Sequence, residues 1–302
     1  MVVAGIGFLY LAPERAAKVA IDAERNRAGL VRKEIDVPGG LHHVYLEGGH
    51  GEPLLLLHGF GANKDNFTRV ARFLTPHYRV VVPDHIGFGE SAHPPDADYS
   101  PTAQAERLHA LVQALGIQGV HVGGNSMGGQ IALVYAALHP TEVKSLWLID
   151  AGGVWSAPES EGRRIIRETK RNPLLVRNEE EFRQLIAFTM SDPPFIPPPL
   201  VEVLAQERVH NFALEERIFN QLRDESVENR IAGLATPSLI VWGERDRVLN
   251  VATAEILQKL LPQSQVVIMP GVGHLPMVER PEQSARDYLR FRASAAGTPA
   301  AN

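Results

Sequence analysis

Short apolar runs alternate with patterns of helical period along most of the chain. The apolar runs lie at residues 54–57, 78–83, 119–122, 143–149, 239–242 and 265–269. Runs with so few polar positions are typical of strands that are covered on both faces. The helical patterns lie between them, at residues 67–74, 101–115, 131–138, 251–261 and 281–291. Alternating strands and helices predict an α/β fold, with a mostly parallel central sheet that is flanked by helices.

The first 50 residues carry a helical pattern and then a hairpin pattern. Apolar positions recur at helical spacing from Pro13 to about Arg27, and Gly29 is placed to end that helix. Two β-like runs follow, at residues 30–37 and 41–47, on either side of the sequence Pro-Gly-Gly. This arrangement predicts a β-hairpin.

The alternation stops between residues 157 and 230. Apolar side chains lie there on two helical stripes, which a proline-rich segment at residues 191–199 joins. Because the strand pattern resumes directly at Pro237, we interpret the region as an inserted helical cap rather than a separate small helical domain. The predicted organisation is an N-terminal segment and helix (1–29), an α/β core (30–156 and 231–295) and the cap (157–230).

Residues 2–12 form an unbroken apolar run whose role the sequence leaves open. The run is too short to span a bilayer, which needs about 20 residues. It also lacks the basic start and the small-residue cleavage site of a secretory signal. Three interpretations remain: a buried strand or helix, an interfacial anchor, or the last part of a spanning helix. The expected localisation is correspondingly a bacterial cell membrane surface or the cytoplasm.

Composition excludes several kinds of chemistry. The 302 residues are 44% hydrophobic and 22% charged, with a formal net charge of −5 and no cysteine. Disulfides, thiolate metal sites and a cysteine nucleophile are therefore excluded. The absence of a long basic run gives no indication of a nucleic-acid partner.

A serine between two glycines lies where an apolar run gives way to a helical pattern. Gly124, Ser126 and Gly128 form the sequence G-x-S-x-G within residues 121–130. On a sharp strand-to-helix turn, the hydroxyl stands above the sheet, and only small residues fit two places on either side. Ser126 is therefore a candidate nucleophile, if the chain also provides a base, an acid and an oxyanion hole.

The base and the acid are sought at the ends of later strands, where functional groups of open α/β sheets gather. His274 lies in a glycine-containing loop after the apolar run that ends at residue 269. Asp246 follows the run that ends at residue 242, and Glu244 is a competing candidate closer to that strand end. We predict that His274 is the general base and that Asp246 fixes its tautomer.

Two backbone N–H groups are candidates for the oxyanion hole. Met127 follows the nucleophile, and Phe60 lies in His58-Gly59-Phe60-Gly61, directly after the apolar run at residues 54–57. The glycines allow the backbone to approach a substrate closely, and the loss of one such donor costs about 10² to 10³ in rate. We expect His58 to brace this loop rather than to act as the base.

These segments together resemble the α/β-hydrolase superfamily. The resemblance rests on HGFG (58–61), PDHIGFGES (83–91), GNSMGG (124–129), WGERDRV (242–248) and GVGHLPMVERPE (271–282). The order serine, aspartate, histidine is that of the superfamily. More specific similarities, at residues 58–67, 124–140, 172–176 and 193–197, are to bacterial membrane-anchored lipases and phospholipases A, and more distantly to the mammalian membrane-bound monoacylglycerol lipase.

The resemblance implies a carboxylic-ester hydrolase (esterase or lipase) that acts on lipid-like acyl esters such as monoacylglycerols, short-to-medium-chain esters or (lyso)phospholipids. It implies an acyl-enzyme mechanism that requires neither a metal nor an organic cofactor, and an N-terminal membrane helix. The apolar run at residues 1–12 is about half the length of such a helix, so contact with a membrane surface is an expectation, and a homodimer is left open. The expected acyl pocket in the cap is lined by Trp155, Phe182, Phe188, Phe195 and Ile196.

Two other functions are compatible with the same motifs. A carbon–carbon bond hydrolase of meta-ring-cleavage products has similar elbow and acid segments, but it carries a polar cap and an arginine near the nucleophile. Here Gln130 follows the elbow glycines and the cap is apolar, so this hypothesis ranks second. The third hypothesis is a ligand receptor that has kept the triad without catalysis. Dehalogenases and epoxide hydrolases are excluded because they need a carboxylate where Ser126 stands.

Overall fold

The apolar runs of the sequence form the strands of one eight-stranded sheet in the computed structural model, which describes residues 10–38 and 40–295. The strands are β1 (Leu30–Val37), β2 (Leu41–Gly48), β3 (Glu52–Leu57), β4 (Tyr78–Pro83), β5 (Val120–Asn125), β6 (Val143–Ile149), β7 (Ser238–Gly243) and β8 (Ser264–Met269). Their order is β1-β2-β4-β3-β5-β6-β7-β8. Strands β1 and β2 are antiparallel to their neighbours and the others are parallel, which confirms the predicted sheet.

Helices cover both faces of the sheet. The core helices are α1 (Pro13–Arg27), α2 (Thr68–Ala71, preceded by a 3-10 turn at Lys64–Phe67), α3 (Pro101–Ala114), α4 (Met127–Leu138), and later α10 (Thr253–Leu260), α11 (Pro276–Glu279) and α12 (Pro281–Ala295). One hydrophobic cluster joins Leu55 and Leu57 to side chains of α3, α4 and α10. A second cluster joins Leu54 and Leu56 to side chains of α2 and α12. Because successive side chains of a strand point to opposite faces, the apolar run of β3 contributes to both clusters.

Between β6 and β7 the chain forms helices, and no strand lies there within the described residues. They are α5 (Glu161–Thr169), α6 (Glu179–Thr189), α7 (Pro198–His210), α8 (Phe212–Arg223) and α9 (Glu228–Ile231). Helix α7 packs against α1, where Leu200 contacts Ala16 and Ala17. The helical insertion is thus connected to the sheet and also packs against helix α1.

The predicted membrane segment at residues 1–12 lies largely outside the described residues, since residues 1–9 are not described. Among the helices of residues 10–38 and 40–295, none combines the length and the apolar character that a membrane span needs.

Candidate active site

Ser126 occupies a strained turn between β5 and α4. Its backbone has φ 53° and ψ −116°, and residues other than glycine rarely adopt such a positive φ. Backbone hydrogen bonds hold it there: Ser126 N–H donates to Ile149 O (3.0 Å), and Ser126 O accepts from Gly152 N–H (2.9 Å). Strain that the surroundings enforce in this way is characteristic of functional positions.

The two elbow glycines are required by close backbone contacts. A Cβ on Gly124 would overlap the backbone of Gly128, and a Cβ on Gly128 would overlap the carbonyl of Leu57 at the end of β3. Both overlaps involve backbone atoms, which cannot move aside as the end of a flexible side chain can. The spacing G-x-S-x-G is therefore imposed by the packing of the turn.

His274 and Asp246 form a buried hydrogen-bonded pair. His274 Nδ1 lies 2.7 Å from Asp246 Oδ2, and the Asp246 side chain is fully buried. Asp246 Oδ1 accepts from the N–H groups of Val248 (2.8 Å) and Leu249 (3.0 Å), which fixes the carboxylate. Because Nδ1–H donates to the carboxylate, Nε2 of the neutral ring is left as the proton acceptor. The competing Glu244 is exposed and accepts from Gly271 N–H (2.9 Å) instead.

The histidine loop is attached to the serine turn through Asn125. Asn125 directly precedes Ser126, and its side-chain Nδ2–H donates to His274 O (3.0 Å). On the cap side, His274 N–H donates to Thr189 O at the end of α6 (2.7 Å). Within the described residues the Ser126 hydroxyl makes no hydrogen bond, and the nucleophile–base bond is often long until substrate is present.

The loop of Phe60 lies against the serine turn, next to the N–H of Met127. Within the described part of the chain, neither Phe60 N–H nor Met127 N–H donates a hydrogen bond. A Cβ on Gly59 would lie 3.0 Å from Asn125 Oδ1 and 3.3 Å from Ser126 Cβ, so this loop lies against the serine turn. Two free donors beside a nucleophile are the arrangement that stabilises an oxyanion.

His58 lies behind the loop as a brace. Its Nδ1–H donates to Gly59 O (2.8 Å) and its Nε2 accepts from His85 N–H (3.1 Å). Burial lowers the pKa of His58 and, more strongly, the pKa of His85. Both rings are therefore neutral structural groups.

A second buried carboxyl group, which the sequence did not single out, lies beside Asp246. Asp150 follows β6, is fully buried and has a positive φ of 45°. Its Oδ1 accepts from Gly243 N–H (2.9 Å), whereas its Oδ2 has no donor partner within the described residues. One carboxylate oxygen of Asp150, one of Asp246 and one ring nitrogen of His274 all lie within 4.8 Å of one another. Burial and the charge of Asp246 raise the pKa of Asp150 well above its usual range, which favours the protonated form of this carboxyl group beside Asp246.

Ser126 opens into an apolar cavity of about 200 Å³. Of the predicted pocket residues, Trp155 and Phe188 line it. The structure places the other three elsewhere: Phe195 is 86% exposed, Ile196 packs on the cluster between α1 and α7, and Phe182 lies on α6 away from the cavity. Several side chains that were not predicted for the pocket also line it. They include Arg163, Ile166, Leu174, Phe219, Leu222, Arg223 and Leu249.

A larger cavity of about 740 Å³ lies in the cap, lined by Thr169, Leu175 and Glu181 among others. It contains none of the predicted catalytic residues, so the smaller cavity is the candidate active site. The two cavities share Asn172, Pro173 and Phe188 in their walls.

Two clusters in the described residues have the composition of metal ligands. In the first, Asp150, Asp246 and His274, the histidine Nδ1 is already hydrogen-bonded to a carboxylate. In the second, the rings of His109 and His139 are stacked at 4.1 Å and are nearly parallel. Lone pairs of parallel rings do not converge on one point, so this geometry does not direct both nitrogens at one ion.

Comparison with known proteins assigns the fold to a family. The sequence profile of the alpha/beta hydrolase fold matches residues 52–281. Lipase 1 of Psychrobacter immobilis is 46% identical over 282 residues, which cover 90% of this chain and 87% of that protein. Monoacylglycerol lipase ABHD6 of Rattus norvegicus is 30% identical, over 82% of this chain and 77% of the relative. Among solved structures, a membrane phospholipase A, described as a bacterial virulence factor, has a TM-score of 0.92 and 42% identity, covering 98% of this chain and 96% of its own.

Proposed function

Because the chain belongs to the alpha/beta hydrolase fold family, we propose that it is a serine carboxylic-ester hydrolase of the lipase type that cleaves lipid-like acyl esters. The observation that carries the proposal is the buried Asp246–His274 hydrogen bond at 2.7 Å, next to the strained Ser126 turn. The apolar cavity around Ser126 provides the surroundings that an acyl chain needs.

The reaction follows from the roles of these groups. His274 Nε2 takes the proton of the Ser126 hydroxyl while Oγ attacks the ester carbonyl carbon. Phe60 N–H and Met127 N–H bind the oxyanion. The carbon–oxygen bond of the ester then breaks, and the alcohol leaves with the proton from His274. Water, deprotonated by His274, attacks the acyl-enzyme, and the carboxylic acid is released as Ser126 regains its proton.

The substrate range is tested with a series of esters on one preparation. We expect hydrolysis of p-nitrophenyl esters, monoacylglycerols and lysophospholipids over several acyl-chain lengths. Each turnover should require Ser126, as measured with Ser126→Ala. A preference for dienoate ring-cleavage products over all the esters would contradict the proposal.

The carbon–carbon bond hydrolase remains second among the hypotheses. That reaction needs a cation beside the nucleophile to hold the carboxylate of the dienoate. The residue next to the elbow is Gln130, and its amide is committed to the carbonyls of Leu222 (3.2 Å) and Glu225 (2.9 Å). A ligand receptor without catalysis is separated from both enzymes by the ester assay itself.

We also propose that residues 1–12 promote contact with a membrane surface. Tyr10 and Leu11, the first described residues of this segment, are exposed large apolar side chains. Such side chains gain free energy when they enter the interface of a bilayer. Liposome sedimentation of the full chain and of a chain without residues 1–12 tests this: the full chain should sediment more, and equal partitioning would contradict it.

A further inference from the structure

The mouth of the Ser126 cavity carries positive charge. Among the described residues that line it are Arg163 on α5 and Arg223 at the end of α8, and none is aspartate or glutamate. The whole chain, by contrast, has a net charge of −5. The cationic mouth is therefore a local feature of this cavity.

These two arginines differ from the other arginines of residues 157–230. Every other arginine there has a carboxylate oxygen within 4.0 Å, as in Arg164 with Glu168 (3.8 Å). Within the described residues, Arg163 and Arg223 have none. Among the arginines of residues 157–230, the two that line the cavity are thus the two without a carboxylate partner in the described structure.

Aromatic side chains hold both guanidinium groups at the mouth. The Arg163 guanidinium lies 5.9 Å from the centre of the Trp155 ring, and that of Arg223 lies 6.0 Å from the Phe219 ring. Trp155 and Phe219 themselves line the cavity. A guanidinium on an aromatic face keeps its N–H fork free for a planar or tetrahedral oxyanion.

Two further donors in the cavity wall, Trp155 Nε1 and Asn172 Nδ2, also face the Ser126 cavity without an acceptor among the described residues. Both atoms are buried. The Oδ1 of Asn172 accepts from Leu174 N–H (3.0 Å), so the other end of its amide is the free donor. Buried donors without acceptors are costly unless a ligand or solvent satisfies them.

From these observations we propose that Arg163 and Arg223 form a subsite for the phosphate of a lipid head group, so that anionic lysophospholipids are the preferred ester substrates. The inference rests on the proposed function. Both guanidinium groups are exposed at the rim, whereas the remainder of the cavity wall is mostly apolar, including Phe60, Phe188 and Leu249. The acyl chain occupies the apolar wall and the phosphate lies at the rim, where two guanidinium forks can bind it. A dienoate carboxylate, by contrast, would have to lie inside, beside Ser126.

The test compares two substrates with one acyl chain, both kept below the concentration at which they aggregate: octanoyl lysophosphatidylglycerol and monooctanoylglycerol. The variant is Arg163→Gln with Arg223→Gln, and the matched control is Arg164→Gln with Arg167→Gln, which also removes two positive charges but from arginines that are already paired with carboxylates. We expect the double variant to lose about tenfold in kcat/KM on the phospholipid, mainly through KM, and less than about twofold on the glycerol ester. The control should retain both activities, and Arg163→Lys with Arg223→Lys should retain part of the preference.

Three results would overturn the subsite. The first is an equal fall in the kcat/KM of the double variant on both substrates. The second is a fall in kcat/KM that is seen with vesicles but not with monomeric lipid. The third is a larger fall in kcat/KM on a dienoate than on the phospholipid. Ser126→Ala on the same substrates separates this inference from the proposed function. If Ser126→Ala abolishes turnover and the arginine double variant keeps its selectivity, the hydrolase assignment stands and the subsite fails.

Discussion

At the scale of single residues, Asp150 is a buried group whose surroundings change its acidity. It is fully buried, and burial together with the charge of Asp246 raises its pKa well above the usual range. We expect the protonated Asp150 to donate to Asp246 and so to position the carboxylate that orients His274. Asp150→Asn keeps a donor at this place and should retain kcat/KM within a few-fold, whereas Asp150→Ala should lose about tenfold. Steady-state kinetics on a p-nitrophenyl ester measures both, and equal losses in the two variants would contradict the donor role.

The raised pKa of Asp150 also predicts how stability depends on pH. In the unfolded chain the carboxyl group titrates near 3.9, whereas in the folded chain it keeps its proton to higher pH. Its contribution to stability is therefore complete below about pH 3.9 and is lost as pH rises toward the folded pKa. Relative to the wild type, Asp150→Asn should gain free energy of unfolding as the pH rises above about 4. Urea titrations at several pH values measure this, and a difference independent of pH would refute it.

The residues that the sequence could reveal share one property, a motif at the end of an apolar run. Ser126, Asp246 and His274 were proposed on that basis, and the structure places Asp246 and His274 in contact. Asp150 also follows an apolar run, precedes Gly152 and Gly153, and lies between Ser126 and His274 in the chain, so the sequence pattern alone does not separate it from Asp246. The structure separates them, because it is Asp246 that contacts His274 Nδ1. Whether Arg163 and Arg223 have a carboxylate partner depends on where the carboxylates of other helices lie. The local sequence does not predict that placement.

At the scale of elements, α7 and α8 are joined by a buried ion pair. Arg208 Nε lies 2.7 Å from Glu215 Oε1, with 9% and 3% of the two side chains exposed. Glu215→Gln would leave a buried guanidinium without its counter-charge, and we expect it to lower the free energy of unfolding by about 3–5 kcal/mol.

The matched control is Glu168→Gln in the exposed pair with Arg164, whose side chains are about half exposed. Exposed pairs contribute little, so this change should alter stability by less than about 0.5 kcal/mol. Chemical denaturation of both variants under one set of conditions compares them. A Glu215→Gln protein as stable as the control would show that the buried pair does not hold the two helices.

Helix α7 shows where element prediction from the sequence failed. The proline-rich segment at residues 191–199 was interpreted as a link, whereas Pro198 and Pro199 begin the helix Pro198–His210. Proline is tolerated in the first turn because its missing N–H would have no partner there. Ile196, predicted to line the acyl pocket, precedes this helix and instead packs against the cluster of Ala16, Ala17 and Leu200 between α1 and α7.

At the scale of the whole molecule, the sheet gathers segments that are far apart in the chain. The loops after β3, β5, β6, β7 and β8 carry Phe60, Ser126, Asp150, Asp246 and His274 in turn. Since these strands are parallel, their carboxyl ends lie at one edge. The order of strands and helices along the chain was predictable because each strand was recognisable by itself as an apolar run. The substrate cavity was less predictable, since its wall combines the core with helices whose relative placement depends on tertiary packing.

The central claim, that Ser126 is the nucleophile of an ester hydrolase, is tested most directly by p-nitrophenyl ester turnover in the wild type and in Ser126→Ala. Loss of the nucleophile should lower kcat by at least about 10³-fold while the fold, monitored by circular dichroism, is unchanged. A folded Ser126→Ala protein with the turnover of the wild type would contradict the assignment of the site and of the reaction.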